Sequence, residues 1–381
     1  MTEKLYDKDS FIKEFTAQVL ECEPCGDNWS VLLDRTAFFP EAGGQTADKG
    51  YIDNAKVLDV QIKDEKIYHI TDSPLPRDTV TGLVDFERRF DFMQQHSGEH
   101  IISGIAHSLY GCENVGFHLS DDIVTLDFDI PLNEKQIEAI EAEANKKVFD
   151  DVAFYTYYPD DETLKALNYR SKKELEGDIR IVEIENTDMC ACCAPHVKTA
   201  GQIGLIKILG SEKLRGGIRL EIKCGGRALA DYREKYKNVS AISSLLCVKQ
   251  EETAAATQRL LEQIADLKAT ITDMKRRIVM QKAEEFEAER EITAMFENGL
   301  EIKDLQHLAD TLYKKNGGIR AVFSETESGF SFAICGNSEK LDYWFKEFKA
   351  SFNVRGGGRN GMVQGSVFAK QEEIELFFMQ G

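Results

Sequence analysis

Asp85-Phe86-Glu87-Arg88-Arg89-Phe90-Asp91-Phe92-Met93-Gln94-Gln95-His96-Ser97-Gly98-Glu99-His100 is where this chain changes texture. Upstream, to about residue 92, short segments rich in β-branched and aromatic residues (Trp29–Leu33, Lys56–Ile62, Lys66–Ile70) are separated by turn signals and read as strands. From about Phe90 to Leu109 the pattern is helical. His96 and His100 then stand at i and i+4, so both imidazoles occupy one helix face, close enough to share one ion.

Moving outward, Leu132–Phe149 reads as a second helix. Ile137, Ile140, Ala144 and Val148 recur at helical spacing behind a capping candidate, Asn133. Ile179–Glu185 and Gly204–Leu209 read as strands flanking a cysteine-rich loop, and Arg219–Lys223 as a strand before Gly225-Gly226. Leu260, Ile264, Leu267, Ile271, Met274 and Ile278 then alternate steps of four and three, the seam of a coiled coil. Past Asn298-Gly299 a small α/β domain follows. Arg320–Phe323 and Phe330–Ile334 predict a hairpin, Leu341–Phe352 a helix, and Gly356–Gly365 a glycine-rich segment. The fold class is α+β, with divisions at 1–90, 91–236, 237–297 and 298–381.

The composition is that of an ordinary folded chain, with 42% hydrophobic and 30% charged residues in 381. No apolar run approaches a bilayer span, and Met1-Thr2-Glu3-Lys4 opens without a basic, then apolar, leader; no membrane partner is expected. Nine irregularly spaced cysteines suggest reduced thiols and metal ligation, and a cytoplasmic location. The net charge of −19 opposes a broad nucleic-acid surface. From Lys303 to Gly381 ten basic residues balance ten acidic ones, so any RNA contact should be local and salt-sensitive.

About ninety residues beyond the histidine pair comes Cys190-Ala191-Cys192-Cys193-Ala194-Pro195-His196. One thiolate and one imidazole from this loop would complete a tetrahedral nitrogen/sulfur set suited to zinc. His96-Ser97-Gly98-Glu99-His100 also matches the inverzincin peptidase signature, with Glu99 as general base. That chemistry calls for a carboxylate as third ligand. Glu99 reads either as a base acting on water beside the ion or as a solvated helix glutamate. Cys22-Glu23-Pro24-Cys25 is a lone CxxC, better read as two strand-end thiols.

Asp85–His100 resembles the opening of the editing domain shared by alanyl-tRNA synthetases and free-standing AlaX proteins, as do Val115–Ser120 and Pro195–Gly204. Asp34–Gln45 is similar to that family's glycine-rich β-barrel segment, and Gly356–Gly365 to the domain that follows editing in the synthetases. The long AlaX class matches best in length and order. The resemblance implies a barrel-like N-terminal domain, an editing domain holding zinc, a coiled-coil linker and a C-terminal domain for RNA binding or oligomerisation. It places the ligands at His96, His100, Cys192 and His196. The family's Cys-Gly-Gly-Thr-His is here Cys192-Cys193-Ala194-Pro195-His196, leaving Cys190 and Cys193 as alternative thiolates.

The activity it implies is hydrolysis of mischarged tRNA(Ala), with serine first and glycine second. A pocket that accepts alanine cannot strongly reject either by binding alone. His118 is expected near the amino-acid pocket, or as a packing residue. Gln45, with Gly43-Gly44, is expected to line the cleft. Arg219 and Arg215 read as phosphate contacts or surface arginines. Gly356, Gly357, Gly358, Arg359 and Gln364, with Arg355, read as a backbone-exposing RNA contact or a plain glycine-rich turn. The alternatives are a tRNA-binding, dimerising factor with structural zinc, or an inverzincin-like peptidase. A homodimer through the coiled coil or the C-terminal domain is a further expectation.

Overall fold

The computed structural model describes residues 2–171 and 178–380. It is a mixed α+β protein whose chain divides into two compact units, one up to Ser240 and one from Ala241 onward.

In the first unit, strands Glu14–Cys25, Asn28–Leu33, Lys66–Thr71, Ala55–Lys63, Gly50–Ile52 and Thr79–Val84 are neighbours in that order, and the first pairs with the last to close a barrel. Alternation explains the filling. Phe15, Ala17 and Val19 point inward from one strand, and Ile67, His69 and Thr71 from another. His69 is a polar residue in this interior and is satisfied at both ring nitrogens. Nδ1 lies 3.2 Å from the Val31 carbonyl and Nε2 lies 2.8 Å from Thr36 Oγ1. The Val31 carbonyl can only accept, so Nδ1 carries a proton, and in the neutral ring Nε2 accepts from the Thr36 hydroxyl, whose oxygen also accepts from the Phe38 N–H. Burial accordingly lowers the His69 pKa to about 4.

The barrel's last strand leads directly into helix Phe86–Tyr110. Asp85 caps its start by accepting from the Arg88 N–H, and Gly111 closes its end in the left-handed conformation. From Gln95 to Ala106 every residue is buried. The helix contacts two sheets. One is antiparallel, in the order Ile206–Leu214, Gly217–Cys224, Val124–Phe128, Asn114–Leu119; the other comprises Phe154–Tyr157, Ile181–Ile184 and Asp188–Ala191. Gly104 permits the second contact, since a Cβ there would meet Asp188 Cβ at 2.6 Å. Helix Glu134–Phe149 begins with the Asn133 capping box and buries Ile140, Ala144 and Val148. Arg89 and Asp48, both fully buried and paired, tie the helix to the barrel; Arg89 also donates 2.6 Å to the Ala37 carbonyl.

The second unit carries a five-stranded sheet in the order Ile292–Phe296, Ile319–Thr326, Gly329–Cys335, Met362–Phe368, Asn353–Arg359, with a parallel first pair and antiparallel pairs elsewhere. The glycine-rich run is strand rather than turn. Gly356–Gly358 form part of the edge strand, and only Asn360-Gly361, both at positive φ, make the hairpin turn. The heptad run forms helix Thr253–Glu285, but the paired coil it predicts is not seen. Leu260, Ile264, Leu267, Ile271, Met274 and Ile278 remain 41–61% exposed; besides Ala256 near the start, the helix buries only Val279 and Ala283, in the cluster with Leu305 and Leu308. No helix among the described residues is long and apolar enough to cross a membrane.

Candidate metal centre

Helix Phe86–Tyr110 presents His96 and His100 on one face, with ring centroids 5.4 Å apart. The loop after strand Asp188–Ala191 brings Cys192 and His196 onto the same spot, where Cys192 packs against both the barrel core and the helix core. The His196 ring lies 4.6 Å from His100 and 4.9 Å from His96. One donor atom from each of the four residues lies within 4.8 Å of the other three.

The donor spacing tests whether a metal belongs here. Bonds of roughly 2.1 Å to nitrogen and 2.3 Å to sulfur at tetrahedral angles put the donors about 3.4–3.6 Å apart. Cys192 Sγ is 3.4 Å from His196 Nε2 and 3.6 Å from His96 Nε2. Burial pushes the Cys192 thiol well above its ordinary value, with Cys193 adding to the rise, and holds His196 well below the usual imidazole value. A buried thiol facing three imidazoles is an incomplete donor set; a soft divalent cation would complete it by favouring the thiolate.

Neighbouring groups set the ring orientations. Gln45 Oε1 is 2.8 Å from His96 Nδ1, so that nitrogen carries the proton and Nε2 is turned toward Cys192. Ser97 Oγ does the same for His196 Nδ1 at 3.0 Å. Gln45 reaches the centre because Gly44 sits at φ +85° with its Cβ position only 2.4 Å from the Phe117 carbonyl, which no side chain would tolerate. His100 lies between two buried carboxylates, with Nδ1 3.5 Å from Asp188 Oδ2 and Nε2 3.7 Å from Glu99 Oε2. His100, Asp188 and Cys190 also cluster. Both Asp188 oxygens, however, take 2.7 Å bonds from the Arg170 guanidinium, which opposes a second cation there. Although burial works to raise the Asp188 pKa, bonds from His100 and Arg170 outweigh it and hold the carboxyl ionised.

The structure sorts the remaining expectations. Glu99 is not a solvated helix residue: it is buried, and Oε1 accepts from Ser103 Oγ at 2.8 Å and Asn114 Nδ2 at 2.5 Å. Asn114 turns inward because the strand register shifts at Asp127/Phe128 and bulges Val115 outward. The same strand aims Phe117 at His96, centroids 4.7 Å apart, so alternation sends His118 outward, where it is exposed. Cys190 belongs to the Asp188 cluster, and Cys193 is absent from the four-donor set. Arg219 is held by Asp127 through two 2.7 Å bonds, and Arg215 lies in an exposed hairpin turn. Gly356, Gly357, Gly358 and Arg359 lie exposed on the edge strand of the second unit, where Gln364 pairs with Gln306. Sequence reasoning missed Ser97, Phe117, Asp188 and Arg170. Ser97 lies inside the quoted His96–His100 stretch, Phe117 inside Val115–Ser120 and Asp188 two residues before the cysteine loop, but Arg170 carries no local signal.

Residues 179–221, spanning the cysteine loop and the strands around it, match the family model of the threonyl and alanyl tRNA synthetase second additional domain. Residues 5–87, including the barrel, match that of class II (A) tRNA synthetases. The alanyl-tRNA editing protein AlaX-L of Pyrococcus horikoshii is 28% identical over 98% of this chain and 96% of its own length. The alanyl-tRNA editing protein Aarsd1 of Mus musculus is 34% identical over 67% of each chain. The alanine–tRNA ligase of Pyrococcus furiosus is 30% identical over 96% of this chain but 42% of its own. This chain belongs to the alanyl-tRNA editing protein family.

Proposed function

We propose that this protein hydrolyses the ester linking a wrong amino acid to the 3′ end of tRNA(Ala), with serine the preferred misacyl group and glycine the second, and that the ion at the four-donor centre is Zn²⁺. The observation carrying the reading is the convergence of two distant sequence segments into one nitrogen/sulfur donor set, its four atoms within 4.8 Å of one another and the sulfur 3.4 and 3.6 Å from two of the nitrogens. Zinc held by His96, His100, Cys192 and His196 would supply Lewis acidity toward an ester carbonyl. Gln45 positions His96 through Oε1, while its Nε2, buried and without a hydrogen-bond partner among the described residues, is a donor available to the substrate. Phe117 walls the space beside His96 and limits the side chain admitted. Glu99, held by Ser103 and Asn114, is the carboxylate assigned to take the proton of the attacking water.

Exposed Arg355 and Arg359, with the glycine backbone between them, are the proposed RNA contact of the second unit, and the open seam from Leu260 to Ile278 the proposed dimer surface. The nine free thiols support action in a reducing compartment such as the cytoplasm. A second reading, a tRNA-binding factor with structural zinc, has one observation in its favour: four protein donors already fill a tetrahedron. The peptidase reading finds a thiolate and an imidazole where it needs a carboxylate. Incubating the protein with Ser-tRNA(Ala) and Ala-tRNA(Ala) separates the first two. Release of serine well above that of alanine is expected; tRNA binding without serine release would leave only the structural role.

A further inference from the structure

Phe11, Phe86 and Phe90 form a half-buried aromatic cluster that the metal chemistry does not use. Phe86 and Phe90 stack with centroids 6.1 Å apart and planes 27° apart, and Phe11 lies 5.8 Å from one and 6.1 Å from the other. Phe11 and Phe90 rest their inner edges on the helix core. Two exposed lysine side chains lie over ring faces and would move onto the phosphates when a base stacks. Lys13 Nζ is 4.3 Å from the Phe86 centroid, and Lys198 Nζ is 4.9 Å from that of Phe11. The acidic group facing the cluster is Asp9, whose Oδ1 accepts from the Phe11 N–H and lies 3.2 Å from Lys198 Nζ.

This patch is continuous with the metal loop. Ser10, next to Phe11, donates 2.7 Å to the carbonyl of His196, and Lys198 follows that ligand by two residues. Buried Arg89 donates to the Ser10 carbonyl and fixes the segment from the other side. Rings flanked by cations, beside the site where a nucleotide ester must be held, and in a chain of net charge −19, are a local concentration of the groups that bind single-stranded nucleic acid. Bases stack on aromatic rings whatever their identity, and the lysines neutralise the connecting phosphates.

We propose that Phe11, Phe86 and Phe90, with Lys13 and Lys198, are a stacking platform for the unpaired nucleotides preceding the acylated end of the RNA substrate. The proposal rests on the editing reading for its substrate, but its test does not depend on hydrolysis. The probe is a short single-stranded RNA ending in CCA, with 2-aminopurine as the unpaired nucleotide immediately preceding the CCA, titrated with the full-length metal-loaded protein. Binding to the unmodified protein is expected to quench the fluorescence. Phe86→Leu keeps apolar volume but removes the aromatic face, and should weaken binding about ten-fold and reduce the quench. Lys13→Gln with Lys198→Gln should also weaken binding about ten-fold at low salt and flatten the log affinity–log salt slope by about 1.4, roughly 0.7 per lysine. Metal content should stay at the unmodified level in both. If Phe86→Leu fails to fold, the lysine pair, on exposed side chains, still decides the question. On Ser-tRNA(Ala), KM should rise in the lysine variant while kcat holds. No quench with the unmodified protein, or lysine-variant affinity and salt slope unchanged within two-fold at full metal content, would overturn the platform. Loss of affinity in the variants, with no serine release by the unmodified protein, would instead uphold the platform and remove the hydrolase reading.

Discussion

Replacing Gln45 with leucine removes one hydrogen bond at almost constant volume, in a place where the consequence can be worked out. In the native protein Gln45 Oε1 lies 2.8 Å from His96 Nδ1, and this contact sets which imidazole nitrogen faces Cys192 Sγ at 3.6 Å. Leucine leaves the Nδ1 proton buried without an acceptor, which costs about 1–3 kcal/mol. The ring can escape by changing tautomer or rotating, and either move takes the lone pair away from the metal position. Loss of such a supporting contact typically lowers metal affinity 10- to 100-fold, the same 1.4–2.7 kcal/mol seen from the other side. Gln45→Glu serves as the opposing control, since a carboxylate in the same place accepts the same proton more strongly and should hold or raise affinity. The assay is competition for Zn²⁺ against a chromophoric chelator, with thermal unfolding run in parallel to confirm that both variants fold. If Gln45→Leu binds zinc within two-fold of the unmodified protein, the contact does not orient His96 and His96 Nε2 is not held toward the metal position by Gln45.

Three further outcomes follow from the same structure. Cys192→Ala should abolish stoichiometric zinc by elemental analysis while Cys193→Ala retains it; the reverse result would exchange the ligands. Arg89→Met strands Asp48 as a buried, unpaired charge and should lower stability by about 3–5 kcal/mol in denaturant unfolding, with Arg89→Met/Asp48→Leu recovering part of that; a loss under 1 kcal/mol would refute the pairing's importance. His69 is held neutral in the folded barrel with a pKa of about 4, against 6.5 unfolded. The unfolded chain therefore binds the extra proton between those values, so His69's contribution is intact above pH 6.5 and falls by about 3 kcal/mol as pH drops to 4. His69→Gln should flatten that part of the stability–pH curve, and an unchanged slope would place the acid sensitivity elsewhere.

The elements were legible in the sequence where one local rule acted alone. Barrel strands such as Lys66–Thr71 show period-two burial, and Asn133 caps its helix because its side chain reaches only backbone three residues away. The heptad seam was equally legible as a helix, but its pairing was not, because a stripe of apolar residues specifies a need for a partner and not which surface meets it. Gly356–Gly358 misled for a related reason: glycine permits a turn but equally permits two strands to crowd, and the pairing with Met362–Phe368 decides between them.

At the metal centre the division is similar. The sequence by itself determined the histidine pair, since i, i+4 spacing on a helix is local geometry, and narrowed the other donors to a thiol and an imidazole of one loop; the resemblance pointed to Cys192 over Cys190 and Cys193, and the structure gathers His96, His100, Cys192 and His196 as one candidate donor set. Only the tertiary structure decided what surrounds them. Gln45, Ser97, Asp188 and Arg170 come from four separate segments, and the strand alternation that aims Phe117 inward and His118 outward depends on a bulge at Val115 set by pairing with Val124–Phe128. The status of Glu99 turned on the same fact. Its position in a helix is local, but its burial against His100, Ser103 and Asn114 exists only once the sheet has packed on that face.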